Sequence, residues 1–156
     1  LVAFWHRFVR PNMSSVMQGF GADIWRHQVE PRLDDYMGVA FEEICRGHAR
    51  RHAQETLPSP AQEIGQIWGA DYDIDVAGRL LNGSMLYSEC KWRRGAIGSD
   101  VLATLIERAE KTTYGRGVED RYFVLYARTN FKTGVHERAK ETGRIVLLTP
   151  DTMLAP

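Results

Sequence analysis

Apolar and polar positions divide the chain into three regimes. Residues 1 to about 32 place Phe4, Trp5, Phe8 and Val9 before Pro11-Asn12, then Val16, Met17, Phe20, Ile24 and Trp25. This spacing predicts two or three short helical pieces. From Asp34, a residue type suited to an N-cap, apolar residues recur at Met37, Ala40, Phe41, Ile44, Cys45 and His48. That is the spacing of one helical face, and it predicts a helix of about 20 residues ending before Pro58-Ser59-Pro60.

Beyond that break the period falls to two. Ile64, Ile67 and Trp68, then Tyr72 to Ala77, then Met85 to Trp92 predict three consecutive strands. Ser99 is placed to cap a helix with Val101, Leu102, Leu105, Ile106 and Ala109 inward and Gly115 past its end. The runs Tyr122 to Ala127 and Ile145 to Leu148 read as buried strands, with a helix over 133–142 between them. The order helix, three strands, helix, strand, helix, strand predicts an α/β fold around a mixed central sheet flanked by helices. A short N-terminal helical extension over 1–32 precedes one domain over 33–156.

Charge and cysteine content narrow the function. Twenty Lys and Arg balance twenty Asp and Glu, so nucleic acid would have to be met by a local basic patch rather than by a general basic surface. No apolar run reaches the ~18 residues of a membrane span. Cys45 and Cys90 lack metal-site spacing and are too few for a disulfide framework, which suits a reducing cytoplasm, although one disulfide between them stays open. Leu1 to Trp5 reads as the middle of an apolar helix with no signal-peptide pattern, so the expectation is a piece of a longer polypeptide. The five histidines show no zinc-site spacing, and no GxxxxGK[ST] phosphate loop is present.

The informative stretch is Asp71-Tyr72-Asp73-Ile74-Asp75-Val76-Ala77, followed by Tyr87-Ser88-Glu89-Cys90-Lys91-Trp92. Charged residues inside apolar strands are usually paired or bind a metal. Alternation puts Asp73 and Asp75 on one face of the first strand, with Ile74 and Val76 opposite; Glu89 and Lys91 share one face of the second, with Cys90 and Trp92 opposite. Hairpin register decides whether the acids meet. A two-residue Asn82-Gly83 turn would set Asp75 against Cys90, whereas a three-residue loop, Leu81-Asn82-Gly83 with Gly83 left-handed, sets Asp75 against Glu89. The second register is the expectation. Two adjacent carboxylates are stable together when a divalent cation supplies the missing charge, and hard oxygen donors favour Mg2+ or Mn2+. Lys91 then lies where it can stabilise a metal-bound hydroxide attacking a phosphodiester.

Asp75 and Glu89-Cys90-Lys91, after a helix bearing Phe41-Glu42-Glu43, resemble the PD-(D/E)xK nuclease superfamily, whose core is restriction-endonuclease-like. The wider pattern adds Gly38, Ile67-Trp68, Asp73-Ile74-Asp75-Val76 and Tyr122 to Arg128. It covers nearly the whole chain and resembles the uncharacterised C-terminal domain of archaeal-type AAA ATPases, as does Phe4-Trp5 to Asn12 for the segment that precedes that domain. The superfamily's proline is replaced by Ile74. The resemblance implies Asp75 and Glu89 as metal ligands, the Cys90 carbonyl as a further ligand, Lys91 as the catalytic lysine and Glu42 as the helix-borne acid. Helical angles alone do not separate Glu42 from Glu43; the Phe-Glu pattern favours Glu42.

The implied function is a metal-dependent endonuclease acting on nucleic acid, with DNA expected, carried behind an ATPase module. The alternative is a catalytically inactive module that binds nucleic acid or regulates the attached ATPase, with the aromatic N-terminal segment as a homodimer contact. Arg93 and Arg94 are candidate phosphate contacts. Arg46, Arg50, Arg51, Arg108 and Lys111 are weaker ones; for Arg50 and Arg51 a solvated helix face is the favoured reading. Trp68 and Trp92 are expected in core or rim packing.

Overall fold

The structure is a computed structural model and describes residues 2–154. Its contacts separate into two units, residues 1–37 and 38–156. In the first, the short helices Val2–Phe4 (α1), Met13–Met17 (α2) and Gly21–Ile24 (α3) are linked by π and 3-10 turns. Phe8 is buried there, with Phe4 and Tyr36 rings at 5.1 and 5.6 Å and the Arg7 guanidinium 5.4 Å from its centre. Phe20, Trp25 and Met17 are exposed.

The long helix Glu30–Thr56 (α4) begins four residues before the expected cap at Asp34. Pro31 causes no break, because a proline in the first turn gives up an N–H that has no helical partner anyway. Phe41, Cys45, His48, Ala49 and Ala53 form its buried face. Ile44, expected among them, is exposed.

The second unit is built on a five-stranded sheet in the order β1-β2-β3-β4-β5. Its strands are Ala61–Trp68, Asp73–Leu80, Met85–Lys91, Arg121–Ala127 and Ile145–Leu148. The first three pair antiparallel and the last three parallel, giving the expected mixed sheet. The helices Ser99–Lys111 (α5), Thr133–Thr142 (α6) and Pro150–Met153 (α7) complete it. Gly98 rather than Ser99 precedes the first turn of α5, and α7 has no counterpart in the sequence reading.

Each face of the sheet carries its own core. On one, α5 and α6 bury Leu102, Leu105 and Val135 against Ile74, Met85, Tyr87 and Leu125. On the other, α4 buries Phe41, Cys45 and Ala49 against Val76, Leu86, Cys90 and Tyr126. Each fully buried large apolar side chain contributes about 1.5–3 kcal/mol, so the faces hold α4 and α5 firmly over the middle strands. Trp68 ends β1 with 73% of its surface exposed and belongs to neither core. No helix among the described residues is long and apolar enough to cross a membrane.

Candidate functional site

The β2–β3 hairpin has the three-residue loop expected. Leu80 N donates to Ser84 O at 2.9 Å, and Gly83 takes φ +87°, a left-handed conformation that glycine adopts at little cost. Strand pairs run Arg79 with Met85 through to Val76 with Ser88. Continued by one step, this register would set Asp75 across from Glu89, as the three-residue loop predicts. There the backbone ladder gives way to a side chain, and Cys90 N donates to Asp75 Oδ2 at 2.8 Å.

The simple alternation expected along β2 fails at this point. On the β1 side Gly65 pairs with Ala77 but Ile67 pairs with Ile74, so Asp75 and Val76 together face Gln66. This β-bulge reverses the facing upstream of it. Ile74 packs under α5 while Val76 packs under α4, although both were expected on one face. The bulge leaves Asp75 buried at the changeover.

Glu89 and Lys91 behave as alternation requires. Glu89 is buried; Lys91 Nζ donates to its Oε1, and Arg108 Nη1 on α5 lies 3.3 and 3.2 Å from its two oxygens. The same Nη1 reaches Asp73 O at 3.1 Å and Asp73 Oδ1 at 3.2 Å. Lys91 is fixed at the end of β3, where Arg128 N donates to its carbonyl at 3.0 Å.

From the opposite face α4 delivers Glu42, whose charge acts on Asp75. Its side chain is 31% exposed, against 69% for Glu43. Arg46, one turn on, lies 3.8 Å from Glu42, pairs with Glu43 at 3.0 Å and donates to Asp75 O at 3.0 Å. Burial pushes the Asp75 carboxyl up to about 6, because a charge in an apolar surrounding is costly. The Cys90 N–H opposes that shift, the Glu89 and Glu42 carboxylates add to it, and Lys91 draws it back.

Cys90 turns its thiol away from Glu89 and Lys91, toward Cys45 on α4, and both thiols are free and buried. Hydrogen bonding to Cys45 and burial hold its pKa far above the usual thiol range, so it is a packing residue rather than a nucleophile. Trp92 packs tilted against Phe41, ring centroids 5.1 Å apart at 55°, and Arg128 lies 4.8 Å from its ring centre. Arg93 and Arg94 are exposed just past β3. Arg50 reaches Ile64 O at 3.2 Å and Lys111 pairs with Glu107 at 2.8 Å, neither of them at the acid cluster.

His48 is buried with Nδ1 3.2 Å from the Tyr126 hydroxyl, and His52 pairs with Glu55 at 2.7 Å, both structural arrangements.

The structure thus brings Glu42, Asp75, Glu89 and Lys91 to one end of the sheet. Among the described residues no group of three or more His, Cys, Asp or Glu is closed around a single point in metal-ligating geometry. Glu89 instead turns to Lys91 and Arg108. Asp75 has two acidic neighbours, Glu89 and Glu42, against one lysine, and carboxylate oxygens are the donor type a hard divalent cation takes. Arg46 and Arg108, candidates in the sequence only for weak phosphate contact, are here ion-pair and hydrogen-bond partners of the cluster. Arg108 left one trace in the pattern: it lies seven residues after Val101 and three after Leu105, an arginine on the inward stripe of α5.

A family profile matches residues 5–112, which take in Glu42, Asp75, Glu89, Lys91 and Arg108. The chain belongs to DUF234, described as archaea bacterial proteins of unknown function. No curated protein matches it. Among solved structures, the DUF234 chain is similar to a repair endonuclease from Pyrococcus abyssi, at 18% identity over 57% of this chain and 40% of that one, TM-score 0.40. It is also similar to the EndoMS-dsDNA2 complex structure, at 18% identity over 65% of this chain and 41% of that one, TM-score 0.43. The chain therefore spans about two fifths of the length of these solved proteins.

Proposed function

We propose that this DUF234 chain carries a metal-dependent nuclease domain that hydrolyses phosphodiester bonds in nucleic acid, with DNA as the expected substrate. The observation that carries the reading is the convergence of Asp75, Glu89 and Lys91 at the end of one hairpin, with Glu42 brought in from α4. A buried acid with two acidic neighbours is an arrangement that costs stability unless a cation or a reaction uses it.

Asp75 and Glu89 would hold Mg2+ or Mn2+, with the Cys90 carbonyl as a further donor and Glu42 completing or orienting the set. The metal would supply an activated water and charge for the developing phosphorane oxygens. The chain's own part is to keep Asp75 oriented through the Cys90 N–H and to hold the Lys91 ammonium beside Glu89, where it can stabilise negative charge on the attacking oxygen. Arg93 and Arg94, exposed past β3, would meet flanking phosphates.

The reading includes attachment to an ATPase module, in keeping with the resemblance of the whole pattern to a domain found behind one. A second reading, a non-catalytic nucleic-acid-binding or assembly module, is favoured by one observation: Glu89 already has two basic partners. Incubation with labelled duplex, branched and single-stranded DNA and RNA in Mg2+ or Mn2+, with a chelator control, separates them. Chelator-sensitive cleavage is expected; binding without cleavage by metal-loaded protein favours the second reading.

A further inference from the structure

Arg108 is the member of the cluster for which metal-assisted hydrolysis has no assigned use. One guanidinium nitrogen, Nη1, stands 3.1–3.3 Å from four oxygens: the Asp73 carbonyl, Asp73 Oδ1 and both Glu89 carboxylate oxygens. Gathering hard oxygens around one positive centre is what a metal ion does at 2.0–2.6 Å, and the guanidinium does the same at hydrogen-bond length. Glu89 is thus held by two cations, Lys91 and Arg108, and buried. The Asp75 carboxylate takes the Cys90 N–H.

A divalent cation held by Asp75 and Glu89 would need a Glu89 oxygen and would meet repulsion from the guanidinium beside it. Asp73, with its side chain 57% exposed, gives Arg108 somewhere to remain once Glu89 lets go. We propose that Arg108 is the resident counter-ion of Glu89, holding that carboxylate in place in the metal-free protein and released from it, onto Asp73, when a divalent cation binds. Arg108 is a positioning residue that sets the metal affinity of the centre. This rests on the metal-binding reading above.

The test is a Mn2+ titration of the intact chain, followed by the electron paramagnetic resonance signal of the free ion, for wild type, Arg108→Gln, Arg108→Lys and Asp75→Asn. Removing the competing charge in Arg108→Gln is expected to tighten Mn2+ binding about tenfold, equivalent to ~1.4 kcal/mol, while Arg108→Lys stays near wild type. Unchanged or weaker binding in Arg108→Gln overturns the proposal and leaves metal binding standing, with Arg108 as a strut. Binding that Asp75→Asn does not diminish, or no binding in any variant, overturns the metal reading itself and this inference with it.

A second measurement needs no stable Gln variant. In wild type labelled with 15N at arginine, the Arg108 Nε–H resonance, assigned by its absence in Arg108→Lys, is expected to move with Mg2+ and saturate at the affinity of the centre. A resonance indifferent to saturating Mg2+ overturns the proposal.

Discussion

Asp75 accepts the backbone N–H of Cys90 at 2.8 Å, so a carboxylate from β2 closes the ladder where the backbone of β2 leaves it. The bulge at Asp75-Val76 makes this geometry. It places a buried acid between two sheet faces, within electrostatic reach of Glu42 from one side and Glu89 from the other.

That position carries a stability cost with a definite pH dependence. The folded-state value of about 6 lies above the ordinary 3.8, so between those two pH values the native state binds more protons than the unfolded one. Stability from this group is therefore greatest below about pH 3.8, falls as pH rises through the window, and stays reduced above about 6. The difference corresponds to about 3 kcal/mol. In chelator, Asp75→Asn is expected to melt above wild type at pH 8, with the gap closing toward pH 4. Thermal melts across that range check it.

Metal binding should follow the same titration in the opposite sense, since a protonated Asp75 is a poor ligand. Mn2+ affinity is expected to rise with pH through about 6 and to level off above it. Titrations between pH 5 and 8 measure this, and Asp75→Asn should show neither the binding nor the rise.

Glu42 and Glu43 are adjacent in sequence but face different surroundings, 31% and 69% exposed. Glu42→Gln is expected to weaken Mn2+ binding by roughly tenfold, in the range typical of groups that orient a metal's ligands. Glu43→Gln should lie within about twofold of wild type, as expected for an exposed side chain whose salt bridge contributes little. Parallel titrations distinguish the two.

Backbone contacts that set the hairpin are testable without touching the acids. A Cβ at Gly78 would run into the Glu63 carbonyl oxygen on β1. Gly78→Ala should destabilise the fold by roughly 1–3 kcal/mol through forced strand displacement. Gly83→Ala meets open space but needs φ +87°, so its expected cost is nearer 1–2 kcal/mol. Urea unfolding of both variants checks the order.

The hairpin register was legible in the sequence because turn chemistry is local: Leu81-Asn82-Gly83 with a left-handed Gly83 sets Asp75 opposite Glu89 wherever the domain packs. Strand and helix order followed from apolar period for the same reason. The bulge was not legible, since it arises from how β1 pairs across Ile67 and Gly65, a relation absent from β2's own pattern. The early start of α4 was not legible because Asp34 is itself a good cap type, while a proline such as Pro31 fits a helix only in its first turn. Arg108 reaches Glu89 across 19 positions of chain, so its pairing with that acid, unlike a phosphate contact, had no local signal beyond its place on the inward stripe of α5. Ile44 misled for a similar reason, because the width of a helix's buried stripe is set by the surface it packs on.

The most direct test of the account is single-turnover cleavage of labelled DNA in Mn2+ by wild type and Lys91→Ala, with Mn2+ binding measured on both. The expected result is cleavage by wild type, abolished by chelator and slowed about 10²–10⁴-fold in a folded, metal-binding Lys91→Ala protein. Equal cleavage by the two proteins, or none by metal-loaded wild type across the substrate panel, would contradict it.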